Sequence, residues 1–489
     1  MSSIAAHPPS VARDDRSFFG HPKGLGLLFA AEMWERFSFY GMRGLLVLYL
    51  VNALKWSDGD AARLYGNYMS LVYLTPLIGG YLADRYIGTR NALVIGGAII
   101  AAGHFVLAFS GMVAFYSGLA LVIIGTGFFK PNVSTMVGQL YAQGDVRRDT
   151  GFTIFYMGIN TGAFLAPFVC STLGERVGWH YGFAAAGVGM VLGLIGYVAL
   201  RDKYLPGIGI APVKGAAAAA ARAADSPSRP WHGIAGGAAG LAIAALVSSG
   251  NWVALLMGSV IGAALGTAVL GTTGEERKRV IALFIVVFFV VMFWAAFEQA
   301  GSSMNLFADR HTDRMIGSFL MPTGWFQSVN SMFLLIFAAV FAGLWQRLSA
   351  KGWEPPTALK MVIGLFLLGL GFVALVAGGA LVDGGAKVSP VFLLLAYLFH
   401  TWGELCVSPV GLSYVTKVAP VRFASLLMGV WFLANSAAGL VGGAMAAMTE
   451  TVTSQARFFA IPMATSIGAS LLLLLLVPLL RKLTASVQA

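Results

Sequence analysis

Residues 31–50 read AEMWERFSFYGMRGLLVLYL. The end of this stretch is apolar enough to lie inside a lipid bilayer, but four charged side chains precede it: Glu32, Glu35, Arg36 and Arg43. At the helical rotation of about 100° per residue, all four fall, together with Phe39 and Tyr40, within an arc of roughly 140°, so the charges form one stripe. Exposing them to lipid would cost about 10 kcal/mol, so the stripe is predicted to face a bundle interior or water, with charged partners. A stripe that only holds helices together by ion pairs is the alternative.

The composition of the whole chain is that of an integral membrane protein. Its 489 residues are 58% hydrophobic and 11% charged, with a mean hydropathy of +0.78, whereas about a quarter of the residues of a soluble protein are charged. The apolar runs, one of them uninterrupted over 280–305, predict about fourteen membrane-spanning helices of about 20 residues each. Cys170 and Cys406 stand in apolar runs, so we expect buried thiols and no disulfide. We expect no removable signal peptide at the polar N-terminus.

The positive charges follow the topology expected of a membrane protein. With the N-terminus in the cytoplasm, about 22 of the 32 lysines and arginines fall in cytoplasmic segments, about seven fall outside and about three lie within helices. This distribution predicts a multi-pass protein of the inner (plasma) membrane with both termini in the cytoplasm. It also accounts for the net charge of +11, so we expect the lipid bilayer and no nucleic acid as a partner.

The order of the apolar runs predicts an all-α fold of two six-helix bundles with an extra two-helix insertion. After the sixth run, residues 207–230 are too polar and too interrupted by proline to cross a membrane, which predicts a cytoplasmic linker. Two halves joined in this way are typical of transporters, whose substrate site lies near the middle of the membrane. The predicted segments are a cytoplasmic N-terminal segment (1–23), an N-terminal six-helix bundle (24–200), a cytoplasmic linker (201–231), an inserted helix pair (232–272), a C-terminal six-helix bundle (280–480) and a cytoplasmic tail (481–489).

Three more charged side chains stand alone in apolar runs. They are Lys130 in GTGFFKP, Glu298 in MFWAAFEQAG and Glu404 in FHTWGELCVSP. Charges on four different helices indicate a shared polar cavity rather than four misplaced helix ends. Aromatic and polar residues four positions apart, such as Trp294 and Glu298, are predicted to line this cavity, although core packing gives the same pattern.

Several motifs carry a resemblance to a known family. The loop GGYLADRYIGTR (79–90) resembles the cytoplasmic loop after the second helix of major facilitator superfamily proteins. The stretch EMWERFSFY (32–40) resembles the motif ExxERFxYY, and GTGFFKP (125–131) matches a helix 4 lysine motif. FYMGINTG (155–162) matches FYxxINxG, and GELCVSPVGLS (403–413) matches GELxxSPxGLS. By these motifs the chain is identified as a member of the proton-dependent oligopeptide transporter family, with a match that covers nearly the whole chain.

The resemblance implies a bacterial di-/tripeptide symporter of the major facilitator superfamily that is driven by protons and works by alternating access. A peptide has an ammonium at one end and a carboxylate at the other, and charge sign alone suits Glu404 to the ammonium and Arg43 and Lys130 to the carboxylate. Glu298 is the leading candidate for the coupled proton. The other implied residues are Glu32, Glu35 and Arg36 as a second proton-linked network, and Tyr40, Tyr73, Asn160, Trp294, Asn330, Trp431 and Phe432 as binding residues.

The sequence departs from the family pattern at two positions. Phe39 replaces the first tyrosine of ExxERFxYY, which removes one hydroxyl from the predicted site. A helix 2 histidine that handles protons in animal members is matched here by Gly66. Proton coupling is therefore expected to rest on carboxylates.

Three other functions remain open. A carrier of nitrate or another small anion on the same fold is the principal alternative, because the family includes such carriers. A membrane-embedded enzyme is disfavoured, since the sequence has no HExxH, GxSxG or P-loop motif, and we expect no enzymatic activity, cofactor or metal. A channel or sensor on the transporter scaffold is the last alternative. The protein is expected to function as a monomer that binds di- or tripeptides and protons.

Overall fold

The computed structural model describes residues 16–142, 144–210, 230–248, 250–420 and 423–485. Parts of the predicted N-terminal segment, linker and C-terminal tail therefore lie outside the described residues. The described residues form fifteen α-helices, of which fourteen are at least 18 residues long, in agreement with the number predicted from the apolar runs. The helices are α1 (Lys23–Leu48), α2 (Asp58–Leu82), α3 (Thr89–Leu107), α4 (Met112–Gln139), α5 (Arg148–Arg176), α6 (Trp179–Tyr204), α7 (Pro230–Val247), α8 (Trp252–Leu270), α9 (Gly274–Phe297), α10 (Ser303–Arg310), α11 (Gln327–Ala350), α12 (Thr357–Asp383), α13 (Val391–Val418), α14 (Ala424–Ala447) and α15 (Gln455–Leu483).

Most of the long helices have the length and apolar composition of membrane-spanning helices. Twelve segments of the described chain are long and apolar enough to cross a membrane. α1 does not meet the same standard, because each 18-residue window of it contains the charged residues Glu32, Glu35 and Arg36. The prediction of an all-α, multi-pass membrane protein is confirmed. The strands β1 (Met315–Ile316) and β2 (Phe319–Leu320) form a short antiparallel hairpin between α10 and α11.

The chain forms two compact units. The first unit comprises Met1–Leu45 and Thr75–Ala218, and the second comprises Leu46–Leu74 and Ala219–Ala489. Two of the three boundaries between the units fall inside α1 and α2, so the first part of α2 is grouped with the C-terminal helices. The division into six-helix halves over 24–200 and 280–480 stays a prediction.

The first unit is built on closely packed helices. α3 packs against α4 and α6, and α5 packs against α6. Small residues allow the approach of α3 and α4, because a Cβ atom on Gly96 would lie 2.7 Å from the backbone oxygen of Gly125. Such contacts between small residues are the usual way in which helices associate in lipid. Large buried side chains, among them Phe129 and Tyr197, fill the space beside these contacts.

The second unit has the larger apolar core. α12 packs against α13 and α15, while α9 packs against α14 and α15. Phenylalanine side chains from several helices fill the core, including Phe289, Phe293, Phe372 and Phe459, each at most 1% exposed. Burial of large rings in this way removes apolar surface from contact with water and fixes the helices that carry the site residues.

The inserted pair α7 and α8 is held together by its glycines. A Cβ atom on Gly236 would lie 2.2 Å from the backbone oxygen of Gly262, and one on Gly240 would lie 2.0 Å from that of Gly258. The spacing of four residues on each helix is the small-xxx-small pattern of membrane helix pairs. The two backbones therefore touch directly, with no room for side chains between them.

Asn251 joins the inserted pair to α2 within the second unit. Its Oδ1 atom accepts hydrogen bonds from the backbone nitrogens of Val253 (3.0 Å) and Ala254 (3.4 Å), which caps the start of α8. Its Nδ2 atom donates to Oδ1 of Asn67 on α2 at 2.8 Å. One side chain thus caps its own helix and forms an interhelical hydrogen bond.

We expect a double-mutant cycle on Asn251 and Asn67 to give a coupling free energy of about 0.6–1.7 kcal/mol, the range for interhelical hydrogen bonds in membrane proteins. Asn251→Ser retains a capping oxygen but is too short to reach α2, and Asn67→Ala removes the acceptor. Chemical unfolding of the purified protein in detergent measures each free energy. Asn251→Ser combined with Ser470→Ala, which removes an unrelated bond to the Val362 backbone oxygen, should be additive. A coupling of zero between Asn251 and Asn67 would contradict the expected bond.

Candidate functional site

Glu32, Glu35 and Arg36 form a buried ion-pair cluster within the first unit. All three side chains are at most 3% exposed. Arg36 Nε lies 3.1 Å from Glu32 Oε1, one helical turn away, and it also donates a hydrogen bond to Glu35 Oε2. The structure therefore brings these three predicted residues together as paired charges inside the unit, which avoids the cost of charge in lipid.

When ionised, this cluster carries more negative than positive charge on α1. Two carboxylates share Arg36, and Lys130 on α4 interacts electrostatically with Glu32. Within the described part of the chain, Glu32 Oε2 and Glu35 Oε1 have no hydrogen-bond partner. A buried carboxylate oxygen that lacks a donor can be satisfied by a bound proton or by a cationic group. The cluster is therefore chemically able to take up a proton.

Two aromatic rings of α1 flank its arginines. Arg36 Cζ lies 5.0 Å from the ring centroid of Phe39, and Arg43 Cζ lies 5.5 Å from that of Tyr40. Both distances are within the range of cation–π attraction, which needs a ring face but no hydroxyl. The sequence comparison showed only that Phe39 lacks the hydroxyl of the motif tyrosine. In the structure, the ring of Phe39 contacts Arg36. Arg43 is 6% exposed and stays charged at any physiological pH, so it is a fixed positive charge on this helix.

Lys130 and Asn160 come from two other helices of the first unit. Lys130 is half-buried, and α4 continues through the following Pro131. Asn160 on α5 is 5% exposed, and its Nδ2 atom donates to the backbone oxygen of Tyr156 at 3.0 Å. The amide nitrogen of Asn160 is therefore held by its own helix, whereas the Tyr156 side chain itself is exposed.

In the second unit, a short hydrogen-bond chain fixes the carboxylate of Glu404. Asn330 Nδ2 on α11 donates to Glu404 Oε2 at 3.1 Å and also to Thr401 Oγ1 at 3.0 Å. Thr401 Oγ1 in turn donates to the backbone oxygen of Tyr397 at 2.7 Å, so it is free to accept from Asn330. Glu404 is 7% exposed. Two residues predicted to bind substrate, Glu404 and Asn330, are thus in direct contact.

Glu298 stands at an interruption of the helical path. α9 ends at Phe297, Glu298–Gly301 forms a 3₁₀ turn, and α10 begins at Ser303, whereas the sequence predicted one uninterrupted run. Glu298 is 7% exposed, and Tyr65 Oη on α2 donates to its Oε2 atom at 3.0 Å. Short 3₁₀ segments within a helix are typical of functional hinges.

Hydrogen bonds to neighbouring helices hold this turn in place. Gln299 Nε2 donates to the backbone oxygen of Gly442 on α14 at 2.9 Å, and Gln299 Oε1 accepts from Ser303 Oγ at 2.7 Å. Gln327 at the start of α11 donates to the backbone oxygen of Ala300. The backbone carbonyl of Ala300 in the turn thus finds a donor, as buried backbone groups require.

Four of the five predicted aromatic binding residues lie on three helices of the second unit, and the fifth, Tyr40, lies on α1 in the first unit. Trp294 on α9 is half-buried, with its ring centroid 5.0 Å from that of Phe297. On α14, Trp431 is 7% exposed while Phe432 is 46% exposed. Tyr73 on α2 is half-buried. The part of these rings in binding a substrate stays a prediction.

Tyr65 and Gln299 are the site residues that sequence reasoning missed. Both owe their position to contacts with helices distant in the chain, which no local pattern reveals. The only sequence signal for Tyr65 was its place beside Gly66, the position that corresponds to the animal histidine. For Gln299 it was the adjacency to Glu298 in an otherwise apolar run.

The chain is similar to a well-defined group of proteins. A sequence profile of the POT family (PTR2) matches residues 90–205 and 254–465. The peptide transporter YePEPT of Yersinia enterocolitica subsp. palearctica serotype O:3 (strain YE-P4) is 38% identical over 502 residues, covering 95% of this chain and 96% of that protein. The di-/tripeptide transporter of Lactococcus lactis subsp. cremoris is 33% identical over 501 residues, covering 98% and 100%. A crystal structure of the peptide transporter POT in complex with sulfate has a TM-score of 0.82 at 38% identity, covering 97% of this chain and 98% of that chain.

We expect Gly66→His to destabilise the protein rather than to provide a histidine for proton coupling. A Cβ atom on Gly66 would lie 2.7 Å from the backbone oxygen of Gly439 and 2.8 Å from Gly443 Cα, so α2 and α14 would have to separate. Overpacking of this kind costs about 1–3 kcal/mol. The thermal unfolding midpoint in detergent measures the effect. The matched control is Gly80→Ala on the same helix, where the nearest atom is 3.5 Å away; equal midpoints for both variants would contradict the expectation.

Proposed function

Since the chain belongs to the POT family, we propose that it is a proton-coupled symporter that imports di- and tripeptides by alternating access. The names of its relatives support the substrate class, because two proteins aligned over nearly their whole length are described as peptide transporters. The observation that carries the proposal is the buried Glu404, which accepts a hydrogen bond from Asn330, in a chain that also buries the cationic Arg43 on α1. A peptide, which has both an ammonium and a carboxylate, needs groups of both signs.

The two ends of the peptide are assigned to side chains of opposite charge. Glu404 takes the ammonium, and the hydrogen bonds of Asn330 fix its carboxylate in one orientation before the substrate arrives. Arg43 and Lys130 take the peptide carboxylate, for which an arginine offers paired donors. The side chains proposed to surround the middle of the peptide are Tyr40, Tyr73, Asn160, Trp294, Trp431 and Phe432.

Clamping the ends and leaving the middle loosely held suits a carrier of many different peptides. All di- and tripeptides share their terminal charges but differ in their side chains. Charge-assisted hydrogen bonds to the termini supply affinity that does not depend on the peptide sequence. The aromatic residues then offer apolar surface that adapts to varied side chains.

We propose that Glu298 carries the coupled proton. In its ionised form it would pair with Arg43, and its protonation would release Arg43 for the peptide carboxylate, so one proton alters both a contact between helices and a binding group. Glu32, Glu35 and Arg36 would form a second proton-linked network with Lys130. A membrane potential supplies about 2.3 kcal/mol per 100 mV for each proton that enters.

The cellular setting is part of the same proposal. The distribution of lysine and arginine supports an inner-membrane protein with both termini in the cytoplasm. In this orientation inward proton flow drives peptide into the cell. The proposed functional unit is a monomer, since each monomer would carry every group assigned above.

We expect Glu298→Gln to abolish proton-driven uptake of dialanine while sparing counterflow. The amide has nearly the shape of the carboxyl group but takes up no proton, so peptide can still exchange across the membrane without accumulation. Proteoliposomes with an imposed inward proton gradient, and separately with equal pH and trapped peptide, measure the two activities. Glu275→Gln removes a carboxylate that is exposed and paired with Lys278, and it should leave both activities unchanged. Accumulation of peptide by Glu298→Gln would refute the role of Glu298.

We expect Glu404→Ala to weaken binding of free dialanine by about tenfold or more, since a hydrogen bond to a charged group contributes about 1.5–3 kcal/mol. N-acetylated dialanine, which has no ammonium, should lose far less. Competition against labelled dialanine in counterflow measures both affinities. Equal losses for the two peptides would refute the ammonium role. Nitrate in the same assay tests the alternative of a small-anion carrier, which would show nitrate competition that does not depend on Glu404.

A further inference from the structure

We infer that Tyr65 is a positioning residue for the proton site at Glu298 and that its hydroxyl links the ionisation of Glu298 to the docking of α2. The inference rests on the proposed function, in which Glu298 carries the coupled proton. It concerns residues 58–74 of α2, which lie in the second unit together with α9, α10 and α14.

The contact between Tyr65 and Glu298 is buried on both sides. Tyr65 is 2% exposed and Glu298 is 7% exposed. The 3.0 Å distance between Tyr65 Oη and Glu298 Oε2 is that of a normal hydrogen bond. A phenol hydroxyl donates to an ionised carboxylate, so the bond is charge-assisted and stronger when Glu298 has lost its proton.

The 3₁₀ turn after α9 provides the space for this hydroxyl. A Cβ atom on Gly301 would lie 2.0 Å from Tyr65 Oη, so only a glycine leaves room for it there. The turn itself is fixed by Gln299, which donates to the backbone oxygen of Gly442. Tyr65 is thus confined between the carboxylate at the start of the turn and the glycine at its end. Its hydroxyl has little freedom to point elsewhere.

The position of Tyr65 along this turn is set by the docking of α2 on α14. The neighbouring Gly66 meets Gly439 and Gly443 backbone to backbone. One turn further, Ser70 Oγ and Ser436 Oγ are 3.0 Å apart, and Ser436 Oγ also approaches the backbone oxygen of Ser70 at 2.5 Å. If α2 moved away from α14, these contacts and the Tyr65–Glu298 bond would break together.

In this arrangement, proton uptake by Glu298 and the docking of α2 on α14 are thermodynamically coupled. Docked α2 places the Tyr65 hydroxyl against Glu298, and this hydrogen bond is stronger to an ionised carboxylate, so protonation of Glu298 must weaken the docking. The charged group proposed to face Glu298 from another helix is Arg43, which acts in the same direction. Tyr65 is a second group, on α2, whose interaction with Glu298 changes when Glu298 takes up a proton.

The test is the pH dependence of Tyr65→Phe, which keeps the ring and removes only the hydroxyl. We expect the pH of half-maximal proton-driven dialanine uptake to rise by about one unit, because a donor to the ionised carboxylate is lost. The infrared carbonyl band of the protonated Glu298, identified by its absence in Glu298→Gln, should likewise persist to higher pH. Tyr68→Phe is the matched control, since Tyr68 lies on the same helix and is also 2% exposed; it should leave the midpoint and the band unchanged.

The outcomes separate this inference from the proposed function. A midpoint and band in Tyr65→Phe that equal those of the wild type overturn the role of Tyr65, whatever Glu298→Gln does. Equal shifts in Tyr65→Phe and Tyr68→Phe also overturn it, because they would reflect a general effect on α2. Accumulation of peptide by Glu298→Gln overturns the proposed role of Glu298 in proton coupling instead. Thermal unfolding of both tyrosine variants checks that each is folded at the pH values used.

Discussion

The pairing of buried charge is the constraint on which the rest of the structure depends. Lipid cannot solvate an ion, so every ionised side chain in a membrane-spanning helix needs a partner of opposite charge or a hydrogen-bond partner. Arg36 forms ion pairs with two carboxylates on α1. Asn330 donates a hydrogen bond to Glu404, and Tyr65 donates one to Glu298. Glu404 and Glu298 are also the groups to which the proposed function assigns the peptide ammonium and the coupled proton. The interactions that make the fold tolerable in lipid are therefore those through which the proposed function operates.

Much of this could be predicted from the sequence, because the signals are local. The rotation of α1 places Glu32, Glu35 and Arg36 on one face whatever the rest of the fold does, and the structure pairs them as that face requires. The number of long helices follows from the lengths of the apolar runs. The contact between Asn330 and Glu404 was harder to predict from the sequence, because the two residues lie on different helices. The sequence assigned both to the binding site but did not predict the hydrogen bond between them.

The remaining features depend on contacts between distant parts of the chain. The run that contains Glu298 has no proline and no glycine before Gly301, so residue propensities do not predict its 3₁₀ turn. The turn forms where Gln299 and Gln327 make hydrogen bonds to neighbouring elements. Tyr65 resembles any other core tyrosine until Glu298 is placed beside it. Gly66 looked like the loss of a histidine, whereas the backbones of α2 and α14 leave no space for one.

The inserted pair has a consequence for how its sequence can change over evolution. Its inner surface is a seam of glycines in backbone contact, where any replacement would force the helices apart. The outer surface of α7 carries residues such as Ile234, Leu246 and Val247, each more than 70% exposed. Lipid solvates different aliphatic side chains about equally well. Residues on the outer surface can therefore be replaced by one another, whereas the glycines of the inner surface cannot be replaced. Ancestral variants of α7 should therefore differ almost wholly on one face, and that face is where an epitope or label can be installed without disturbing the helices that carry the site.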